Sequence, residues 1–152
     1  MLVLSPFHGD TVLIYREKDG KYELDYEYPE KIEFLHAIWS GEIQGKPVVM
    51  IGHRKGNRDL LKFCWENGQY HAELIDHDCG PANAYGFHKD GKDYVISTNR
   101  EINEITMYEF GYSNPLKIMH LNPAHHSVKS CVRYLCRVSA RLQVSSLSFA
   151  LC

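Results

Sequence analysis

Much that a recognisable function would require is missing from this 152-residue chain. Lysine and arginine number 17 against 19 aspartates and glutamates, a formal charge of −2 with the signs interspersed. A field of one sign is what holds a protein on nucleic acid or on an anionic bilayer, so neither is expected as a partner. No stretch approaches the roughly 18 apolar residues of a membrane span. The opening Met1-Leu2-Val3-Leu4-Ser5-Pro6-Phe7-His8 is too short in apolar residues for a secretory leader and lacks its basic start. The expectation is a soluble, cytoplasmic protein. The five cysteines, Cys64, Cys79, Cys131, Cys136 and Cys152, are odd in number and never fall in CxxC spacing, which signals neither a zinc ribbon nor a disulfide framework. There is no nucleophile elbow, no phosphate-cradling glycine loop and no catalytic-triad signature, so whether the protein is an enzyme stays open. Apolar spacing of three and four is also missing from the Gly-punctuated runs, which excludes a helical solenoid.

What is there is a period. LVLSPFH from Leu2, VVMIGHR from Val48 and YVISTNR from Tyr94 superpose without gaps at intervals of 46 residues, placing Val3, Val49 and Val95 in one column and His8, Arg54 and Arg100 in another. Gly45-Lys46 and Gly91-Lys92 repeat at the same interval. VLIYREKDGKYEL from Val12 and LLKFCWENGQYHAEL from Leu60 share aromatic and aliphatic positions around Gly20 and Gly68. One period resolves into four short strands: HAIWSGEI, a Gln44-Gly45 turn, PVVMIGHR, a polar loop, LLKFCWE, an Asn67-Gly68 turn, and QYHAELID. Asn-Gly and Asp-Gly supply the positive φ angles of two-residue hairpins, here between runs rich in Val, Ile, Tyr and Phe. Four antiparallel strands in about 46 residues is the size of a β-propeller blade. The fold expected is therefore all-β, an incomplete β-propeller of about two and a half four-stranded blades over residues 1–126. Residues 2–26 give strands two to four of one blade, 36–76 a whole blade, and 83–122 most of a third.

The segment HAIWSGEIQGKPVVMIGHR resembles the FG-GAP/VCBS class of propeller repeat over roughly residues 2–122. That class carries a calcium-binding Asp-x-Asp-Gly-Asp-Gly turn. The equivalent stretches here are Glu42-Ile43-Gln44-Gly45-Lys46 and His88-Lys89-Asp90-Gly91-Lys92, and one carboxylate beside a lysine does not furnish the six to eight oxygens calcium takes. The calcium site is not carried over, and no metal ligand is assigned. A divalent metal in a complete propeller remains the one cofactor to consider. Some members of the class accompany sugar-processing enzymes or act in adhesion, so the resemblance implies binding or processing of a carbohydrate or other small ligand.

From residue 127 the composition changes. SVKSCVRYLCRVSARLQVSSLSFALC holds no Asp, Glu, Gly or Pro, where the period calls for a new first strand near His126. Residues 127–152 are read as a non-propeller tail. Lys129, Arg133, Arg137 and Arg141 recur every four residues, so it is either an amphipathic helix with a basic stripe or a reading-frame change that replaced further blades.

Propeller topology sorts the loops. The tight Gly turns lie on one face, and the longer connections on the other: Pro6 to Asp10, His53 to Arg58, Asn99-Arg100-Glu101 and the crossover Asp76 to Pro81. A polar loop face is the default ligand site. Its candidates are His8, His36, His53, Arg54, His77, Asn99 and Arg100. Arginine presents a fixed fork to carboxylates and phosphates, so the Arg column points to an acidic sugar or small anion. The structural alternative pairs each Arg with a neighbouring carboxylate such as Asp59 or Glu104. His36 and His126 start innermost strands, either as imidazole ligands at a channel mouth or as blade-to-blade hydrogen bonds. His77, between Asp76 and Asp78, should point away from both along an extended chain. Trp39 and Trp65 fit a core between blades better than a sugar platform. Against ligand binding stand two other readings, a protein-interaction scaffold and a truncated product without activity. Open blade edges add self-association as a further partner class.

Overall fold

A computed structural model describes residues 2–4, 8–111 and 115–121. The tail of residues 127–152 and the strand start at His126 lie outside the described residues. The described residues are all-β: they form eleven strands in three antiparallel sheets, none closed, with no α-helix and a single 3-10 turn at Arg100–Ile102. Strands β1 (Leu2–Leu4), β2 (Leu13–Lys18) and β3 (Lys21–Glu27) form the first sheet. Strands β4 (Glu33–Ile43), β5 (Lys46–Lys55), β6 (Leu60–Glu66) and β7 (Gln69–Asp76) form the second, and β8 (Pro81–Lys89), β9 (Lys92–Asn99), β10 (Glu104–Phe110) and β11 (Leu116–Leu121) the third. Each sheet is a simple meander in chain order. The four anticipated turns are present, and Asp19-Gly20, Gln44-Gly45, Asn67-Gly68 and Asp90-Gly91 all have positive φ at both positions. That is the mirror-image turn whose twist matches the strands it joins.

The 46-residue period is visible in the ladders. Val49 lies opposite Ser40, and Val95 opposite Gly86. His53 pairs with Leu35, and Asn99 with Pro81. The β4–β5 register shifts between Leu35 and Ala37, and the β8–β9 register between Pro81 and Asn83, so even the bulged residues, His36 and Ala82, are one period apart. The lysines after the Gly turns, one period apart, both bridge to the third strand of their sheet at 2.7 Å, Lys46 to Glu66 on its own rung and Lys92 diagonally to Glu109. The first sheet departs by one residue. Val3 pairs with Ile14, and with the Gly20 and Gly68 turns aligned it stands level with Met50, leaving Leu2 level with Val49. A one-residue slip in a strand exchanges its two faces, so the gapless superposition of LVLSPFH does not carry over to the ladder.

The second sheet is covered on both sides, and its central strand shows how. Val49 and Ile51 of β5 join Val12, Ile32, Leu35, Leu61 and Phe63 in one cluster on the side of the first sheet. Val48 and Met50 join Ile43, Leu60, Cys64, Val95, Tyr108 and Phe110 in another on the side of the third. A strand buried on both faces cannot alternate apolar with polar, which is why VVMIGH reads as a continuous run. At about 1.5–3 kcal/mol per fully buried aliphatic or aromatic side chain, these clusters are the main attraction between sheets. Trp39 of β4 lies over Gly86 of β8, where any Cβ would overlap its ring. Tyr108 crosses the same junction and donates its hydroxyl to Asp76 of β7 at 2.6 Å. Cys64 and Cys79 are free and buried; burial raises both thiols, Cys79 to about 12, which keeps them protonated. No described helix is long and apolar enough to cross a membrane.

Candidate functional site

The connections between second and third strands, and between sheets, gather at one end. The loop after β1 is tied to the start of β4 by two backbone bonds, His8 N–H to the Leu35 carbonyl (2.8 Å) and Leu35 N–H to that of Gly9 (3.0 Å). His8 and Phe34 both take left-handed φ, each at 62°. For Phe this backbone is costly, of order 1–3 kcal/mol, and such strain persists only where the surroundings impose it. Here it stacks the two rings, with centroids 4.1 Å apart and planes 12° from parallel. The His36 ring completes a triangle, 5.7 Å from His8 and 6.2 Å from Phe34. Its Nδ1 donates to the Ala82 carbonyl of β8 at 2.8 Å, a hydrogen bond from the second sheet to the third. Two cations from the end of β5 lie by Phe34: the Arg54 guanidinium carbon 5.2 Å and the Lys55 Nζ 4.9 Å from the ring centroid. Cations are drawn to the negative face of such a ring.

Arg54 is nearly buried and is held through Nε (2.8 Å) and Nη2 (2.6 Å) on Glu101 Oε1 in the loop of the third sheet. The pairing expected with a neighbouring carboxylate is thus made, with Glu101 in place of Asp59 or Glu104. His8 titrates below its ordinary value of 6.5, through partial desolvation in the stack and then through His36, Arg54 and Lys55. Its neutral form is favoured first because the stack partly desolvates the ring, and then because a further positive charge among these groups is repelled.

The other candidates divide. His53 is buried, donating from Nδ1 to the Lys55 carbonyl (2.9 Å) and accepting the Asp59 N–H at Nε2 (3.2 Å), which shapes its own loop. The His77 imidazole donates from Nδ1 to Asp59 at 2.6 Å, and the His77 backbone N–H donates to the Asp76 carboxylate at 3.0 Å. Around that contact the crossover is laced to the β5–β6 loop: Asp78 N–H to the Asn57 carbonyl, Cys79 and Gly80 N–H to that of Arg58, and an Arg58–Asp78 ion pair. Asn99 is fully buried between Ser97 and Thr106, inside the third sheet. Arg100 is exposed beside Glu101, its N–H on the Gly80 carbonyl. The structure therefore brings His8, His36 and Arg54 together, joins His53 to His77 through Asp59, and leaves Asn99 and Arg100 apart. Phe34 was not anticipated; Lys55 and Glu101 were placed on the loop face, beside the two arginines of the repeat column, but not among its candidates. Among the described residues no group of three or more His, Cys, Asp or Glu side chains is arranged to hold a metal ion. Compared with known proteins, the chain matches no family model and no curated sequence.

Proposed function

We propose that the chain is a run of FG-GAP/VCBS-like propeller blades whose loop face binds a small anionic ligand, an acidic sugar being the class that fits best. The observation that carries this reading is the cluster of Arg54 and Lys55 beside the His8, Phe34 and His36 rings. Arg54, held on Glu101, and Lys55, opposite Glu33 in the β4–β5 ladder, offer guanidinium and ammonium donors to an anion, and imidazoles at the rim donate to or accept from hydroxyl groups. The strained Phe34 backbone supports it too, since strain of this kind gathers at ligand sites. The 46-residue ladder equivalence and the sheet-on-sheet stacking support the blade reading.

The test is calorimetric titration of the full chain with glucuronate, galacturonate, inorganic phosphate and glucose. Saturable binding of the uronates, loss of it in Arg54→Ala and none for glucose is the expected result. Equal response to glucose, or none to any anion, contradicts it. A second reading, an interaction scaffold, is favoured by the exposed Tyr22, Leu24 and Leu74 on the outer strands β3 and β7. It gains if the anions fail.

A further inference from the structure

The two junctions of the second sheet are filled to different depths. Toward the third sheet, Gly86 lies under the Trp39 ring and Phe110 is 5% exposed. Toward the first sheet the junction is more open: Trp65, on the rung of Phe110, is 43% exposed, and beside it is a cavity of about 270 Å³. The inner wall of the cavity is apolar, Ile14 of β2 with Val49 and Phe63 of the second sheet, all three buried. Its rim is one cluster of side chains from both sheets. The Arg16 guanidinium carbon lies 4.4 Å from the Trp65 ring centroid, with Nε donating to Asp25 at 2.8 Å and Nη2 to the Tyr70 hydroxyl at 3.3 Å. That hydroxyl donates to the same Asp25 oxygen at 2.8 Å, and the Trp65 and Tyr70 rings meet edge to face with centroids 4.6 Å apart. A half-exposed arginine ordinarily samples many rotamers, and these three contacts fix this one, so the rim is formed before a ligand arrives. The cluster also carries no net charge. Both groups stay ionised, because the Tyr70 hydroxyl first, and then their own hydrogen bond, raise Arg16 and lower Asp25.

We propose that this cavity binds a neutral aromatic molecule of one or two fused rings that carries one hydroxyl group. Size sets the number of rings: an apolar cavity of roughly 150 Å³ admits benzene, and 270 Å³ leaves room for a second ring. The walls set their kind. Phe63, Trp65 and Tyr70 present faces and edges to an aromatic guest, which gains from that geometry beyond the area it buries, whereas a saturated ring gains from area alone. The rim sets the polar group. Among the described residues Arg16 hydrogen-bonds through Nε and Nη2 only, so Nη1 is a donor for a hydroxyl oxygen. A carboxylate in place of the hydroxyl meets Asp25 already on that guanidinium, and the like charge works against it. The site is built from other residues than the loop-face cluster and does not depend on it.

The chain has two tryptophans, Trp39 and Trp65, so the experiment follows their indole N–H resonances in the full chain. The titrants are 2-naphthol, its anionic analogue 2-naphthoate and its saturated analogue decahydro-2-naphthol. Expected are a saturable shift of Trp65 with Trp39 unmoved, binding of both analogues at least fivefold weaker than that of 2-naphthol, and nuclear Overhauser contacts from 2-naphthol to the Ile14 and Val49 methyls. Arg16→Met should weaken 2-naphthol at least fivefold, and glucuronate should leave Trp65 unmoved. The proposal is overturned if Trp65 does not respond, if either analogue binds as tightly, or if the methyl contacts fall elsewhere. A saturable Trp65 shift with glucuronate makes the cavity an anion site and overturns it likewise. Arg16 is half-exposed, so its variant should melt as the native chain does, and undiminished binding in it is a contradiction. If the variant melts lower, the analogue series and the methyl contacts of the native chain decide by themselves.

Discussion

His53 and Asn99 occupy the same rung of successive sheets, 46 residues apart, and both are buried polar side chains that fasten the end of a second strand. They do so with different partners: His53 holds the Lys55 carbonyl and the Asp59 amide, Asn99 the Ser97 and Thr106 hydroxyls. Removing either leaves buried partners unsatisfied, at roughly 2–4 kcal/mol. Urea unfolding of Asn99→Ala and His53→Ala should show comparable losses of that size. A loss below about 0.5 kcal/mol in either shows that the rung is not a structural anchor.

Gly86 and Ser40 are equivalent by register but not by surroundings. Gly86→Val should cost about 3 kcal/mol or more, because the new side chain meets the Trp39 ring and a packed junction gives way only by off-rotamer adjustment. Ser40→Val, on the open side, should change stability by less than about 0.5 kcal/mol. Thermal or urea unfolding of the pair separates a filled junction from an open one.

Arg54 and Glu101 join the loops of the second and third sheets, with the side chains 11% and 30% exposed. A double-mutant cycle with Arg54→Ala and Glu101→Ala should give a coupling of about 1 kcal/mol, allowing for the partial exposure of Glu101. Zero coupling means that the bridge does not order the loop face.

The depressed titration of His8 carries a sign. In the pH range just below 6.5 the unfolded chain binds this proton and the folded chain does not, so stability rises with pH there. The contribution is complete above 6.5 and is lost as pH falls through the folded value. Between pH 7.5 and 5.0 the native chain should lose more stability in urea than His8→Asn does. Equal losses contradict the electrostatic reading of the stack.

The turns and most strands were legible because their signals are local. An Asn-Gly between apolar runs fixes a hairpin wherever the sheet sits, and an unbroken VVMIGH announces a strand covered on both faces. The loop face was half legible: the 46-residue column singled out His8 and Arg54 but also Arg100, which stays at the rim. Phe34 escaped because nothing in EFLHAI marks a phenylalanine forced to positive φ; that depends on the loop of the first sheet closing over β4. The slip at Val3 escaped for a related reason. Three residues of strand match a column equally well in neighbouring registers, and the pairing is set by β2 and its turn.

The anion-binding loop face is tested most directly by following the imidazole C–H resonances of His8 and His36 while glucuronate is added to the full chain. His8 is held low by desolvation and then by repulsion, and a carboxylate bound beside Arg54 and Lys55 offsets the repulsion, so both resonances should shift saturably and the His8 titration midpoint should rise towards 6.5. Unmoved resonances and an unchanged midpoint at saturating glucuronate would contradict the proposal.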